Sequence, residues 1–250
     1  MKSSLEDTLE LMRDLRRRCD WDGAQTHESL RPYLIEEAHE VDEALQLGDD
    51  GRLREELGDL LLQILFHAVI AEERGAFGMH DVASGFVTKM KGRHPHLYGE
   101  GGGGAREPWE KMKAKKRTSL TDGLPAGLPS LHRAFRLQDR AAGVGFDWPT
   151  TEGPVEKVRE ELVEVEQELA AGEGAGGKLH DEIGDLLFAV VNLARKAGVH
   201  PALALDRANL KFSRRFAHIE KLAADRGIVV ADAGLAVLDS LWDEVKRSEG

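Results

Sequence analysis

This chain of 250 residues has one cysteine, Cys19. No disulfide can form within it, and a reducing cytoplasm is the expected setting. Positive charge is not in excess either. The formal net charge is −11, which argues against unassisted binding to nucleic acid or to an anionic membrane surface. An anionic substrate would need metal ions and a few local bases to mediate it. Long apolar runs are missing: the longest, around Leu57 to Ala71, is interrupted by Asp59, Gln63 and His67 and is too short to span a bilayer. Met1-Lys2-Ser3-Ser4 leads straight into an acidic amphipathic stretch, without the pattern of a signal peptide. No run alternates as a strand would. With 41% hydrophobic and 32% charged residues, the composition is that of an ordinary soluble globular protein, expected to be intracellular and all-α.

Helical periodicity is what the chain does have, nearly throughout. Leu5, Leu9, Met12 and Leu15, at spacings of three and four, predict a first helix over 5–18. A loop is expected at 20–23, then helices over 28–47, 52–74 and 80–93, a stop at His94-Pro95-His96, and a helix over 107–117. The Gly- and Pro-rich stretch 121–129 reads as a linker between a domain at 1–120 and another at 130–250. The same order then returns, with helices over 130–142, 153–171, 179–197, 200–227 and 235–247. Trp21 and Trp148 lie 127 residues apart, Glu37 and Glu161 124, Glu56 and Glu182 126. Offsets that drift only by loop-sized amounts while helix order is kept indicate a tandem duplication of a four- or five-helix bundle, each copy with a site between facing helices.

The repeat is centred on Glu56-Leu57-Gly58-Asp59-Leu60-Leu61-Leu62, which returns as Glu182-Ile183-Gly184-Asp185-Leu186-Leu187-Phe188. In each copy two acids open a helix that is apolar almost all the way round, the pattern of a buried helix. Upstream stand Glu37-x-x-Glu40 and Glu161-x-x-Glu164. Residues at i,i+3 share a helical face, so each half brings four acids to one place. Any one pair, taken alone, reads as a solvated face or as helix-start acids; recurrence at matching positions points instead to a hard divalent cation with oxygen ligands, a role that suits magnesium with a phosphate substrate. Behind the acids, Lys89-x-x-x-Arg93 recurs as Lys211-x-x-x-Arg215, and Trp109-x-x-x-Lys113 as Trp242-x-x-x-Lys246. Such cations suit phosphate oxygens, and a tryptophan face can stack on a base or wall off the site.

The paired acids resemble the EExxE…ExxD signature of the all-α nucleoside triphosphate pyrophosphohydrolases, and their tandem arrangement resembles the MazG family over nearly the whole chain. Further similar pieces are Trp21-Asp22 with Gln25-Thr26, Arg93-His94-Pro95-His96, Val144 to Trp148, and Lys211 to Phe216. The resemblance implies Mg²⁺-dependent hydrolysis of an NTP to the NMP and diphosphate, with Mn²⁺ able to substitute, broad base tolerance and a role in clearing nucleotide pools. It implies catalytic and metal-binding roles for Glu161, Glu164, Glu182 and Asp185 and for Glu37, Glu40, Glu56 and Asp59. Lys211, Arg215 and Lys246, with Lys89, Arg93 and Lys113, would hold phosphates, and Trp242 and Trp109 would shape the nucleoside side. Asn192, seven residues after Asp185 on the same stripe, is a candidate polar contact whose counterpart is Phe66. A homodimer is expected as well.

Two other classes compete. Glu36-x-x-His39 supplies one ExxH of a carboxylate-bridged di-iron bundle, but the second half has Glu160-x-x-Val163 there, so the required repeat is lost. A carboxylate-rich metal-binding or adaptor protein without NTP hydrolysis would explain amphipathic helices, though not acids seated in apolar ones. His94 and His96 are candidate ligands for a transition metal, though they read first as caps at the helix exit beside Pro95.

Overall fold

The computed structural model describes residues 3–99, 119–171 and 176–249. Among these residues there are eleven α-helices, one short 3-10 turn and no strand. Contacts divide the chain into two compact units, Met1–Arg106 and Glu107–Gly250.

The first unit holds α1 (Leu5–Arg18), α2 (Asp20–Ala24), α3 (His27–Leu47), α4 (Asp50–Glu73), α5 (Met79–Arg93) and α6 (Pro95–Tyr98). Ser4 and Asp7 close a capping box at the start of α1, and Thr26 and Ser29 close another at the start of α3. Asp49 caps α4 through Gly51 N and Arg52 N. Gly48 ends α3 at φ 67°, where its N–H reaches Ala44 O at 3.1 Å and any side chain would strain the backbone. Leu9 and Met12 of α1 pack against Leu30, Leu65, Phe66, Val69 and Ile70. Fully burying each such side chain contributes about 1.5–3 kcal/mol.

The stretch 20–23, expected as a loop, forms α2. Arg16 decides this by donating from Nη1 to Asp22 O at 2.6 Å and Gln25 O at 2.8 Å, taking up carbonyls that a helix end leaves open. Pro95 opens the one-turn α6, while His94 Nδ1 sits 2.8 Å from Met90 O at the end of α5. The helix expected over 107–117 lies outside the described residues.

The second unit holds α7 (Ser130–Gly143), α8 (Glu152–Ala171), α9 (Gly176–Lys196), α10 (Pro201–Asp225), the 3-10 turn Val230–Asp232 and α11 (Gly234–Ser248). The helix pair α8–α9 carries the acids, as α3–α4 does in the first unit. The α10–α11 hairpin closes on Ile219, Ala223, Leu241 and Val245. The stretch expected as linker is tied to α7, because buried Arg140 donates from Nη1 to Leu120 O at 2.7 Å and Asp122 O at 3.0 Å.

The two acid-bearing helices are not buried all round. Leu57, Leu62 and Ile64 of α4 are exposed, as are Ile183, Phe188 and Val190 at the matching places on α9. Each helix meets its own unit along one face, so its apolar circumference exceeds what that unit covers.

Candidate active site

In the second unit, helical spacing sets Glu161 and Glu164 of α8 on the face that meets Glu182 and Asp185 near the start of α9. Carboxylate oxygens of Glu161, Glu182 and Asp185 lie within 4.8 Å of one another. Burial pushes the Glu164 carboxyl above the ordinary range, and the neighbouring carboxylates of Glu161 and Glu182 add to the rise. Glu161 is only 4% exposed. One of its oxygens receives Lys157 Nζ at 2.6 Å, one helical turn back, and the other is buried with no partner. Lys157 also reaches Glu160 at 2.9 Å, and hydrogen bonds to Glu161 and Glu160 hold its ammonium well above the usual lysine value. A compact set of hard oxygen donors with one orphaned carboxylate oxygen fits a divalent cation.

The first unit repeats the cluster. Oxygens of Glu37, Glu56 and Asp59 lie within 4.8 Å of one another. Burial raises the Glu37 carboxyl, and Asp59, Glu40 and Glu56 add to the rise. The neighbouring cation differs: Arg52 of α4 pairs with Glu56 at 3.4 Å and with Glu43.

Beside Glu161 and Asp185 the second unit opens into a cleft of about 540 Å³. Its walls are chiefly apolar, with Leu137, Phe146, Trp148, Pro154 and Phe188 among them, while Gln138, Lys157, Asn192 and Arg195 supply polar groups. The loop carrying Phe146 and Trp148 is fastened to α9 through Asp147, which takes Arg195 at 2.5 Å and Lys196 at 3.0 Å. Burial would raise the Asp147 carboxyl, but the hydrogen bonds from Arg195 and Lys196 outweigh it and hold the group below the ordinary range. Lys196 also donates to Trp148 O. Trp148 rests on Gly153, where an added Cβ would stand 2.0 Å from the indole. Asn192, buried, accepts from Arg195 Nε at 3.0 Å. Its counterpart Phe66 is 2% exposed in the first unit's core, edge-on to Trp21 at 6.4 Å.

The family described as the MazG nucleotide pyrophosphohydrolase domain matches residues 25–98. A nucleoside triphosphate pyrophosphohydrolase/pyrophosphatase MazG of Thermotoga maritima is 42% identical over 98% of this chain and 96% of its own length. The chain belongs to the MazG family. A nucleoside triphosphate pyrophosphohydrolase of Escherichia coli K12 is 40% identical over 96% of the chain and 95% of its own length. An uncharacterized protein of Bacillus subtilis, YabN, is 43% identical over 92% of the chain, which spans 49% of that longer protein. These relatives span both units of this chain, not the first alone.

The MazG-like cations behind the acids are less simply placed. Arg215 pairs with Glu249 at 2.7 Å and lies over Trp242 at 5.6 Å. Trp242 packs on Phe212 at 5.4 Å and joins the α10–α11 core. Lys246 meets Asp243 at 3.2 Å, and Lys211 lines a shallow surface of α10 with Arg207 and Arg214. The structure gathers these four on one hairpin, and none of them lines the cleft beside Glu161. Lys89 and Arg93 stand on α5; Trp109 and Lys113 lie outside the described residues. Sequence reasoning missed Lys157, Gln138 and Arg195. The one available signal was a lysine four residues before Glu161, the spacing at which side chains on a helix meet.

Proposed function

We propose that this protein is a Mg²⁺-dependent nucleoside triphosphate pyrophosphohydrolase, with Mn²⁺ able to substitute, that releases NMP and diphosphate, and that its second unit does the work. The observation that carries this is the carboxylate cluster opening directly onto an apolar cleft with fixed amides. Acids for a metal and a wall for a base thus lie side by side. Glu161, Glu164, Glu182 and Asp185 would hold the cation, which would supply charge neutralisation to the phosphates. Water adds its oxygen to phosphorus, the P–O bond to the diphosphate leaving group breaks, and Glu164 accepts a proton from the water. Lys157, Lys211, Arg215 and Lys246 would balance phosphate charge, and Phe146 and Trp148 would flank the base.

The first unit keeps the acids Glu37, Glu40, Glu56 and Asp59 but puts Phe66 where the second has Asn192. The two units are read as tandem copies of one domain that differ at this place, Phe66 joining the first unit's core and Asn192 lining the second unit's cleft. A homodimer is supported by the exposed apolar residues Leu57, Leu62 and Ile64 and their counterparts Ile183, Phe188 and Val190. Broad base tolerance, a housekeeping role in nucleotide pools and a cytoplasmic setting complete the reading. A net charge of −11 disfavours anionic surfaces, so the reading includes no nucleic-acid or membrane partner.

Phosphorus NMR of products tests this. Wild type with Mg²⁺ should give NMP and diphosphate. Glu164→Gln/Glu182→Gln should lose at least ~10³-fold in turnover, the scale of losing a principal electrostatic contribution. Glu40→Gln/Glu56→Gln should retain most activity. NDP and phosphate as products would sink the reading, and equal loss in both double variants would sink the assignment to the second unit.

A further inference from the structure

Resting on the pyrophosphohydrolase reading, we propose that Gln138 reads the substrate's base, its Oε1 accepting a hydrogen bond from an N–H on the edge of the nucleobase.

Gln138 of α7 is 7% exposed, yet it lines the cleft. Its Nε2 donates to Phe188 O at 2.8 Å, which locks the amide, because the reversed orientation would set two carbonyl oxygens against each other. The lock leaves Oε1 buried without a hydrogen-bond partner. A buried acceptor with nothing to accept from is costly, so whatever fills the cleft has to donate there. A phosphate brings only more acceptors. The apolar walls at Phe146, Trp148 and Phe188 suit a flat ring. A flat ring with a donor on its rim, held beside a phosphate-handling cluster, is a nucleobase.

Asn192 supplies the complement. Its Oδ1 is occupied by Arg195 Nε at 3.0 Å, which leaves the amide N–H₂ as its remaining polar group. One fixed acceptor and one fixed donor match the edge of every common base, since each carries an N–H beside an acceptor. The site therefore accepts all common bases and rejects rings whose edge has lost its N–H. Base tolerance comes from a constraint that all of them satisfy, not from an absence of contacts.

The test is calorimetric binding of UMP and N3-methyl-UMP to the full chain with Mg²⁺, beside Gln138→Met. The expected result is UMP binding on the order of tenfold or more tightly than its methylated analogue, as sites built to hydrogen-bond a substrate N–H reject analogues lacking it. The gap should close in Gln138→Met, which keeps the side-chain volume and removes the acceptor. Equal binding by the wild type overturns the proposal. So does a gap that persists in the variant, which would mark the methyl group's bulk as the cause. Because Gln138 is packed in the unit, a second wild-type comparison stands independent of the variant: dTMP against its difluorotoluene isostere, which has the same shape and no N–H. Preference for dTMP supports the proposal, and equal affinity overturns it. Failure of UTP to give UMP and diphosphate would sink the activity alone, because the binding comparison does not depend on turnover.

Discussion

Lys157 Nζ stands 2.6 Å from Glu161, one turn along α8, and satisfies only one oxygen of a carboxylate that is itself buried. The lysine thus stands in part where a cation would act, while the other oxygen is buried with no hydrogen-bond partner. Lys157→Met should destabilise the metal-free second unit by about 2 kcal/mol, since it leaves a buried charged acceptor unpaired. Saturating Mg²⁺ should narrow the difference, because the metal would compensate the same carboxylate. Denaturant unfolding with EDTA and with Mg²⁺ checks this; a deficit unchanged by the metal would separate Lys157 from the cation site.

Gly153 leaves room for Trp148, and a Cβ there would stand 2.0 Å from the indole. Gly153→Ala should push Trp148 off the cleft wall while sparing the acids. The expected result in steady-state kinetics is a KM for NTP raised on the order of tenfold, with kcat changed by less than about threefold, the pattern of lost uniform binding. A fall in kcat alone would contradict this placement.

His27 and His67 stack with Nδ1 to Nδ1 at 2.8 Å, so one ring donates and the other must offer a lone pair. Burial, reinforced by the charge of His27, lowers the His67 pKa from 6.5. The folded state thus binds fewer protons than the unfolded state between the lowered value and 6.5. Stability from this pair is fully present above that window and is lost as pH falls through it. Unfolding free energies between about pH 8 and about pH 5 should show this decline for the first unit, and His67→Phe should flatten it.

Arg140 holds two backbone carbonyls, Leu120 O and Asp122 O, from a buried position on α7. Arg140→Ala should cost about 3 kcal/mol, the loss of two charge-assisted hydrogen bonds. It should also make 119–129 the first site of cleavage in limited proteolysis; unchanged protection there would refute the anchoring role.

Adding Mg²⁺ to metal-free protein should raise the melting temperature, by about 2.7 kcal/mol in stability when the ion is at a hundred times its dissociation constant. Glu161→Gln/Asp185→Asn should remove that gain in the second unit. Differential scanning calorimetry reads both effects, and an unchanged gain would locate the ion elsewhere.

Much of the fold is legible in the sequence, because its signals are local. The period of Leu5, Leu9 and Met12 gave α1 its bounds, and Gly48 marked the end of α3 through a backbone geometry that favours glycine. Repetition of Glu56-x-x-Asp59 as Glu182-x-x-Asp185 needs only identity and spacing. The site was half legible for the same reason: acids on one helical face must converge when two such helices pair. The α2 turn escaped notice because Arg16, several residues away, stabilises it.

The sequence by itself therefore determined the long helices among the described residues, their order and the two carboxylate clusters, since a 3.6-residue period commits side chains to faces wherever the helix lies. Only the tertiary structure decided that the clusters differ in their surroundings. Gln138 and Asn192 come from helices α7 and α9, and nothing in their spacing says that both line one cleft. Phe66, at the place of Asn192, is core because Leu9 and Met12 of α1 pack on it. Which polar atoms end up buried without a partner depends on packing between segments distant in the chain, and that information arises only when the helices come together.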